Sequence, residues 1–383
     1  MPVRKRGDSW EVCLDLAPDP TTGRRRRRYL TIRGSKKDAL RALTAAERQR
    51  DTGIDILPGK LTVAAYFERW LTDYAAVKVA PTTFARYTGI TRHHVVPAIG
   101  HLKLADLRPQ HLQNAYALWL RPGSRRDGSG KALSSQTVLH HHRLISEALE
   151  QAVRWQLIAL NPAHAVSAPR VDRTEVRVLD PEGVGRLLEA ARETPFYTFV
   201  YLSIRTGARL GELLGLQWSD ITLDAGQMHI RRTLKRIDRR VTLGPTKTRR
   251  SERPVDLSRE TVQVLREHRR QQVEQRLATG AAYTDSNLVF ATETGHYYDD
   301  SNLRRSFRKI LQAAGLTALR IHDLRHCAAS LMLKAGTPIT TVAERLGHAS
   351  TTTTYALYAH SVPGSQSEAA EALDALLRQA QEG

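Results

Sequence analysis

The stretch His322-Asp-Leu-Arg-His-Cys-Ala-Ala-Ser-Leu-Met-Leu-Lys-Ala-Gly336, continued by Ile339-Thr-Thr-Val-Ala-Glu-Arg-Leu-Gly-His348 and then Tyr358, decides how this chain is read. Two amphipathic helical segments flank a glycine turn. His322 and Arg325 are three apart on the first of them, so an imidazole and a guanidinium share a face and can reach one ligand. His326 points elsewhere and is expected to be structural. His348 follows the second segment, and Tyr358 lies ten residues beyond it. Two imidazoles, a guanidinium and a phenol in one short stretch are what a tyrosine needs to attack a phosphodiester. Two blander accounts stand beside this one. His322 could pack in a core while Arg325 makes an internal ion pair, and the helix pair with its glycine turn resembles the helix-turn-helix of a repressor.

The rest of the composition favours a polyanionic partner. With 58 Lys+Arg against 39 Asp+Glu, the chain carries a formal charge of +19 over 383 residues, more than solubility requires. The excess is mostly arginine, whose planar fork suits bidentate phosphate contacts. No run of about 18 apolar residues exists, which favours nucleic acid over membrane. The opening Met1-Pro-Val-Arg-Lys-Arg has no apolar segment of the secretory kind, so a cytoplasmic location is expected. Cys13 and Cys327 form neither a disulfide framework nor a metal-ligand spacing and are expected as small apolar fillers. The adjacent histidines His93-His94 and His140-His141-His142 splay around a helix axis, which suits solvent or phosphate better than a metal. No metal site and no cofactor are expected, since the sequence has no Walker-type glycine loop and no carboxylate cluster for Mg²⁺.

At roughly 100 to 200 residues per domain, the length allows two or three domains. Residues 1–58 form a small basic unit. Trp10 to Leu16 alternates as a strand does, Pro18 to Gly23 is turn-rich, Arg24 to Ile32 returns as a second strand, and Ser35 caps a helix from Lys36 to Arg50. The run Arg24, Arg25, Arg26, Arg27 and Arg28 is either a solvated tail or, on a strand backed by a helix, a DNA contact. Residues 61–163 read as a helical domain. Its segments are Val63 to Tyr74, Ala80 to Val96, Arg108 to Leu120 and Ser134 to Leu157, with breaks at Val96-Pro97, Arg121 to Gly130 and Asn161-Pro162. Residues 164–178 read as a linker. Residues 179–383 form the largest domain, starting with helices at Pro181 to Ala191 and Thr194 to Ile204. Short strands of one small sheet are expected at Met228 to Leu234, Arg240 to Leu243 and Pro254 to Leu257, and helices follow from Ser258. The fold class expected is thus multidomain and mainly α with small β-sheets. A closing stripe of Ala369, Ala370, Leu373, Leu376 and Leu377 marks an amphipathic tail helix that packs either on its own domain or on a neighbour.

Upstream, Thr206-Gly-Ala-Arg-Leu-Gly-Glu212 places Arg209 in the first turn of a helix, where a guanidinium and backbone N–H groups can meet an anion. Its plain alternative is a surface arginine paired with Glu212. Taken together, Thr206-Gly-Ala-Arg-Leu-Gly-Glu-Leu-Leu-Gly-Leu, Thr246-Lys-Thr-Arg-Arg-Ser-Glu-Arg-Pro-Val, His322-Asp-Leu-Arg-His, Leu346-Gly-His-Ala-Ser and Tyr358-Ala-His resemble the motifs of the tyrosine recombinase (phage integrase) family. The motifs span the third domain, and the first two domains match the family in layout only. The resemblance implies a β-sheet-plus-helix arm-binding domain, a helical, SAM-like core-binding domain and a mixed α/β catalytic domain. It implies site-specific recombination between DNA attachment sites by a homotetramer, for a phage or another mobile element, with an excisionase and a DNA-bending protein as accessory partners.

Carried over position by position, the family's catalytic set falls on Arg209, Lys247, His322, Arg325, His348 and Tyr358. The chemistry gives each residue type a reason. In-line attack on a phosphodiester builds negative charge on the non-bridging oxygens, which suits two permanently charged arginines. A tyrosine with a pKa near 10 needs help to lose its proton, from a neighbour such as His322. The departing 5′ oxygen needs a proton, which a lysine on a hairpin can supply. Tyr355, three residues before Tyr358, is expected to pack or to face DNA. The Thr351 to Thr354 run is unusual helix sequence, and the segment is expected to be loosely held before DNA and neighbouring subunits arrive. A type IB topoisomerase shares this chemistry without synapsis and is the nearest enzymatic rival.

Overall fold

In the computed structural model the described residues are 3–16, 26–51, 61–171, 177–237, 240–246, 251–317, 319–348, 350–358, 370–371, 373–375 and 377–378. Contacts divide the chain into two compact units, Met1–Arg173 and Thr174–Gly383. The architecture is mainly helical, with three small sheets among the described residues.

The first unit opens with an antiparallel sheet of β1 (Val3–Arg6), β2 (Ser9–Leu16) and β3 (Arg26–Arg33). Helix α1 (Lys36–Asp51) packs on it, burying Val12, Ala39 and Leu43. Ser35 and Asp38 exchange hydrogen bonds at its start, as an N-terminal capping box does. The helices then bury a separate cluster led by Tyr66, Phe67, Trp70, Leu112, Tyr116, Leu144 and Leu149. Helix α2 (Val63–Trp70) runs through a π-helical turn, Leu71–Ala75, into α3 (Ala76–Lys78). Helix α4 (Pro81–Ile90) likewise passes through Thr91–Val95 into α5 (Val96–Ile99). The break expected at Val96-Pro97 is therefore absent, because the wider π turn relieves the clash a proline ring would make with the preceding carbonyl. Helices α6 (Pro109–Trp119) and α7 (Ser135–Arg154) complete the set.

In the second unit α8 (Pro181–Ala191) is capped by Asp180, whose carboxylate accepts from the Gly183 N–H at 2.7 Å. Helix α9 (Tyr197–Thr206) starts three residues later than expected, since Thr194 closes the end of α8 by donating to the Ala191 carbonyl at 2.7 Å. Residues Thr198 to Ile204 of α9 are all buried, so this helix is the spine of the core. It is followed by α10 (Leu210–Leu214). The strands form two sheets in place of the one expected. One contains β4 (Ile221–Thr222), β5 (Gln227–Ile230) and β8 (Arg253–Asp256). The other is a separate hairpin of β6 (Arg232–Ile237) and β7 (Arg240–Pro245). The segment from Met228 to Leu234 splits at Arg231, which belongs to neither sheet.

Helices α11 (Arg259–Thr279) and α12 (Asp300–Ala313) follow. The deciding stretch becomes α13 (Ile321–Lys334) and α14 (Ile339–Leu346), and α15 (Thr351–Tyr358) carries the tyrosine. Residues 370–371, 373–375 and 377–378 are helical, with Leu373 and Leu377 exposed. Among the described residues no helix is long and apolar enough to cross a membrane.

Candidate active site

The site is organised by the ends of two helices. Gly207 ends α9 at φ +62° and Gly347 ends α14 at φ +67°, the left-handed conformation that glycine adopts most easily. A side chain at either position would also collide. A Cβ on Gly207 would stand 2.4 Å from Leu346, and one on Gly347 would stand 2.8 Å from the Arg253 guanidinium. These ends turn unpaired carbonyls into the site, where the negative pole of a helix favours cations. Arg325 takes two of them, donating Nη1–H to the Gly207 carbonyl and Nη2–H to the Leu346 carbonyl, both at 2.7 Å. Arg209 donates Nη2–H to the Gly347 carbonyl at 3.1 Å.

Glu212 is the centre of this arrangement. It is buried, and its carboxylate accepts from Arg209 Nη1 at 2.7 Å and from Arg253 Nη2 at 3.1 Å. It also accepts from the Arg209 backbone N–H at 2.9 Å, so Arg209 and Glu212 close the start of α10 reciprocally. Burial raises its pKa, but the Arg253 and Arg209 charges outweigh that and hold the carboxylate below its usual range. Arg253 anchors the opposite side, donating to the carbonyls of Arg345 at 2.6 Å and Ser251 at 2.9 Å. Two guanidiniums thus share one carboxylate, and with the Arg325 charge nearby the cluster is left net positive. A guanidinium has five N–H groups, and contacts among the described residues use two on Arg209 and two on Arg325. Arg325 is 3% exposed. Its pKa is pushed down to about 9 by burial and then by Arg209, which leaves it charged at neutral pH.

The histidines enter neutral. His348 follows Gly347, and its backbone N–H reaches the Ala343 carbonyl at 2.9 Å, a helix-terminating bond that fixes its place. Its Nδ1 lies 2.7 Å from the hydroxyl of buried Thr354 on α15. Burial, then Arg325 and Arg209, push its pKa to about 4. Burial and Arg325 also lower the pKa of His322. The His322 ring meets His326 edge-on, with centroids 5.2 Å apart.

Tyr358 is 0% exposed and packs against Ala329, Leu333, Val342 and Leu346 of α13 and α14. Its hydroxyl is hydrogen-bonded to His326 Nδ1, with ring centroids 5.6 Å apart. Burial raises the phenol to about 12, against the lowering effect of Arg325. Tyr355 is 62% exposed and is not packing. The Thr351 to Thr354 segment is helical, with Thr354 buried against His348.

The structure therefore gathers Arg209, His322, Arg325, His348 and Tyr358, while Lys247 lies outside the described residues just beyond β7. Three participants were missed. Arg209 does pair with Glu212, the plain alternative to an anion-binding role, yet Glu212 also holds Arg209 and Arg253 together. His326, expected to be structural and to point elsewhere, contacts Tyr358 instead. Its i,i+4 spacing from His322, which puts both rings on one face of α13, was the available signal. Of the basic strand, Arg24 and Arg25 lie outside the described residues, Arg26 and Arg28 have only their backbone placed in β3, and Arg27 is exposed and paired with Asp15 at 2.9 Å.

Comparison with known proteins identifies the class. Residues 177–364 match the phage integrase family, and residues 62–120 match the phage integrase N-terminal SAM-like domain. A tyrosine recombinase XerC-like protein of Caldanaerobacter subterraneus subsp. tengcongensis is 27% identical over 343 residues, 85% of each chain. An integrase of Streptomyces ambofaciens is 28% identical over 381 residues, covering 93% of this chain and 92% of that one. The Tn1549 transposon integrase, solved with a circular intermediate DNA, superimposes with a TM-score of 0.67 at 15% identity, over 83% of this chain and all of that one. The chain belongs to the phage integrase family, the tyrosine recombinases that break and rejoin DNA.

Proposed function

We propose that this chain is a site-specific integrase acting in the cytoplasm on duplex DNA at paired attachment sites. It cleaves one strand at each site through a 3′-phosphotyrosyl bond and rejoins it to the partner strand, so that a phage or other mobile element is integrated or excised. The observation that carries this reading is the meeting of Arg209, Arg325 and His348, from three separate segments, with the buried Tyr358.

Arg209 and Arg325 bind the two non-bridging oxygens and stabilise the charge that grows on them, with His322 and His348 as neutral hydrogen-bonding partners. Tyr358 Oη attacks phosphorus and loses its proton while the bond to the 5′ oxygen breaks. Lys247 protonates that oxygen and leaves a free 5′ hydroxyl. The 5′ hydroxyl of the partner strand then attacks the phosphotyrosine and releases Tyr358. One phosphodiester replaces another, so neither ATP nor a metal is needed to drive the exchange.

Residues 61–163 bind the core site, 1–58 bind arm-type sites through the arginine run Arg24 to Arg28, 164–178 link the two halves, and 179–383 cut. Two rounds of exchange within a homotetramer complete recombination, with excisionase and a DNA-bending protein setting direction. Leu373 and Leu377 are exposed, which suits a tail that docks on a neighbouring protomer.

The test is a nicked suicide substrate carrying the candidate core site, incubated without metal and resolved on a denaturing gel. Wild type should form a covalent adduct, and Tyr358→Phe should form none. Specific binding without an adduct would favour a helix-turn-helix repressor, and an adduct that survives in Tyr358→Phe would move the nucleophile to Tyr355.

A further inference from the structure

We propose that His326 is the general base of the cleavage step: its Nδ1 takes the Tyr358 phenolic proton as Oη bonds to phosphorus. This deepens the proposed reaction and rests on it. His326 is the side chain hydrogen-bonded to the Tyr358 hydroxyl. His322, the other candidate, has no hydrogen bond to Tyr358 among the described residues and instead stands edge-on behind His326. Geometry comes first in choosing a base, because the acceptor must already be within hydrogen-bond reach of the proton it removes.

At rest the surroundings hold the proton on Tyr358, so its transfer to His326 is uphill until bonding of Oη to phosphorus weakens the phenol's hold on it. Burial and His322 push the His326 pKa down to about 4, so the ring is neutral at rest, and in the tautomer with its proton on Nε2 the bare Nδ1 accepts from the phenol. Burial raises Tyr358, so the phenol keeps its proton until an acceptor takes it. After transfer the imidazolium is favoured by Asp323, one turn back on α13, and by the arriving phosphodiester. Asp323 is buried and is itself held by Arg320 at 2.8 Å, so its charge is fixed in place. Arg325 and Arg320 oppose the imidazolium, and the Arg325 charge is the one the incoming phosphate neutralises most directly. The step balances: O–H breaks and N–H forms at His326, P–O forms at Tyr358, and the 5′ oxygen leaves and is protonated separately.

Two variants separate proton transfer from positioning. His326→Asn keeps a hydrogen-bond acceptor near Nδ1 but cannot hold the proton, and His326→Ala opens space for a diffusing base. Single-turnover adduct formation by full-length protein on the suicide substrate should fall about 10²–10⁴-fold in both. Added imidazole should restore His326→Ala in part and leave His326→Asn unchanged. A substrate with sulfur at the 5′ bridging position, whose leaving group needs no proton, should speed Lys247→Ala and not His326→Asn. Cleavage by His326→Asn within twofold of wild type overturns the proposal, as does a loss in His326→Ala that imidazole leaves untouched. Failure of wild type to form an adduct would be a failure of the recombinase reading, separate from this one.

Discussion

The arginines that meet Gly207 and Gly347 and Arg27 at the start of β3 carry the same charge, yet burial gives them different work. Arg325 is enclosed, with its donors on two helix-end carbonyls and its charge in a low-dielectric pocket shared with Arg209, Arg253 and Glu212. Arg27 stands in solvent opposite Asp15 across the β2–β3 ladder. An enclosed charge is screened little and held in one geometry, which is what stabilising a transition state requires. An exposed pair contributes little to stability and leaves the guanidinium free to exchange Asp15 for a phosphate. The comparison teaches that arginine content measures affinity for polyanions, while the arginines proposed to act on the reacting phosphate are distinguished by the backbone they grip.

The largest expected effect is at the enclosed end. Arg325→Ala should slow adduct formation by about 10²–10³-fold at saturating protein, the size of losing one preorganised donor. A single-turnover gel series measures it. A loss confined to DNA affinity would erase the distinction between the two regions.

Next comes Glu212, whose removal leaves Arg253 buried without its carboxylate. Glu212→Ala should lower unfolding free energy by about 3–5 kcal/mol in a urea titration. The pH dependence has a definite sign. The folded pKa of Glu212 is depressed, so its contribution is fully present above the unfolded value of about 4.3 and is lost as pH falls through the lower folded value. The stability gap between wild type and Glu212→Gln should therefore be widest near neutrality and close in acid. A gap that persists below about pH 3 would mean the carboxylate's charge is not what organises the arginines.

The smallest effect is at the exposed end. Arg27→Ala should leave the saturated cleavage rate unchanged and lower the slope of log affinity against log salt by about 0.9, one phosphate contact. An unchanged slope would return β3 to the solvated-tail account.

These contrasts show which parts of the site the sequence could reveal. Arg209, His322, Arg325, His348 and Tyr358 were legible because residue type and spacing survive without knowledge of packing. So was the capped start of α1, where Ser35 announces itself locally. The carbonyl grip on the arginines was not legible, because the acceptors are backbone atoms distant in sequence, 138 residues from Arg209 and 118 and 21 residues from Arg325. The role of Glu212 was hidden by a local explanation, a surface i,i+3 pair, whose spacing is right but whose carboxylate is buried. Arg253 sat inside a quoted motif with no reason to be singled out, since its partners come from Glu212, Ser251 and Arg345. The π turns that carry α4 past Pro97, and the separation of the β6–β7 hairpin from the β4–β5–β8 sheet, depend on tertiary packing that periodicity does not encode.

The most direct test sets the two regions against each other in one experiment. Affinity for a core-plus-arm DNA and the saturated single-turnover cleavage rate are measured for Arg325→Ala and Arg27→Ala across a salt series. The account predicts that Arg325→Ala loses rate with affinity within a few-fold of wild type, while Arg27→Ala keeps the rate and has a salt slope shallower by about 0.9. Equal losses of affinity with unchanged saturated rates in both variants would contradict it.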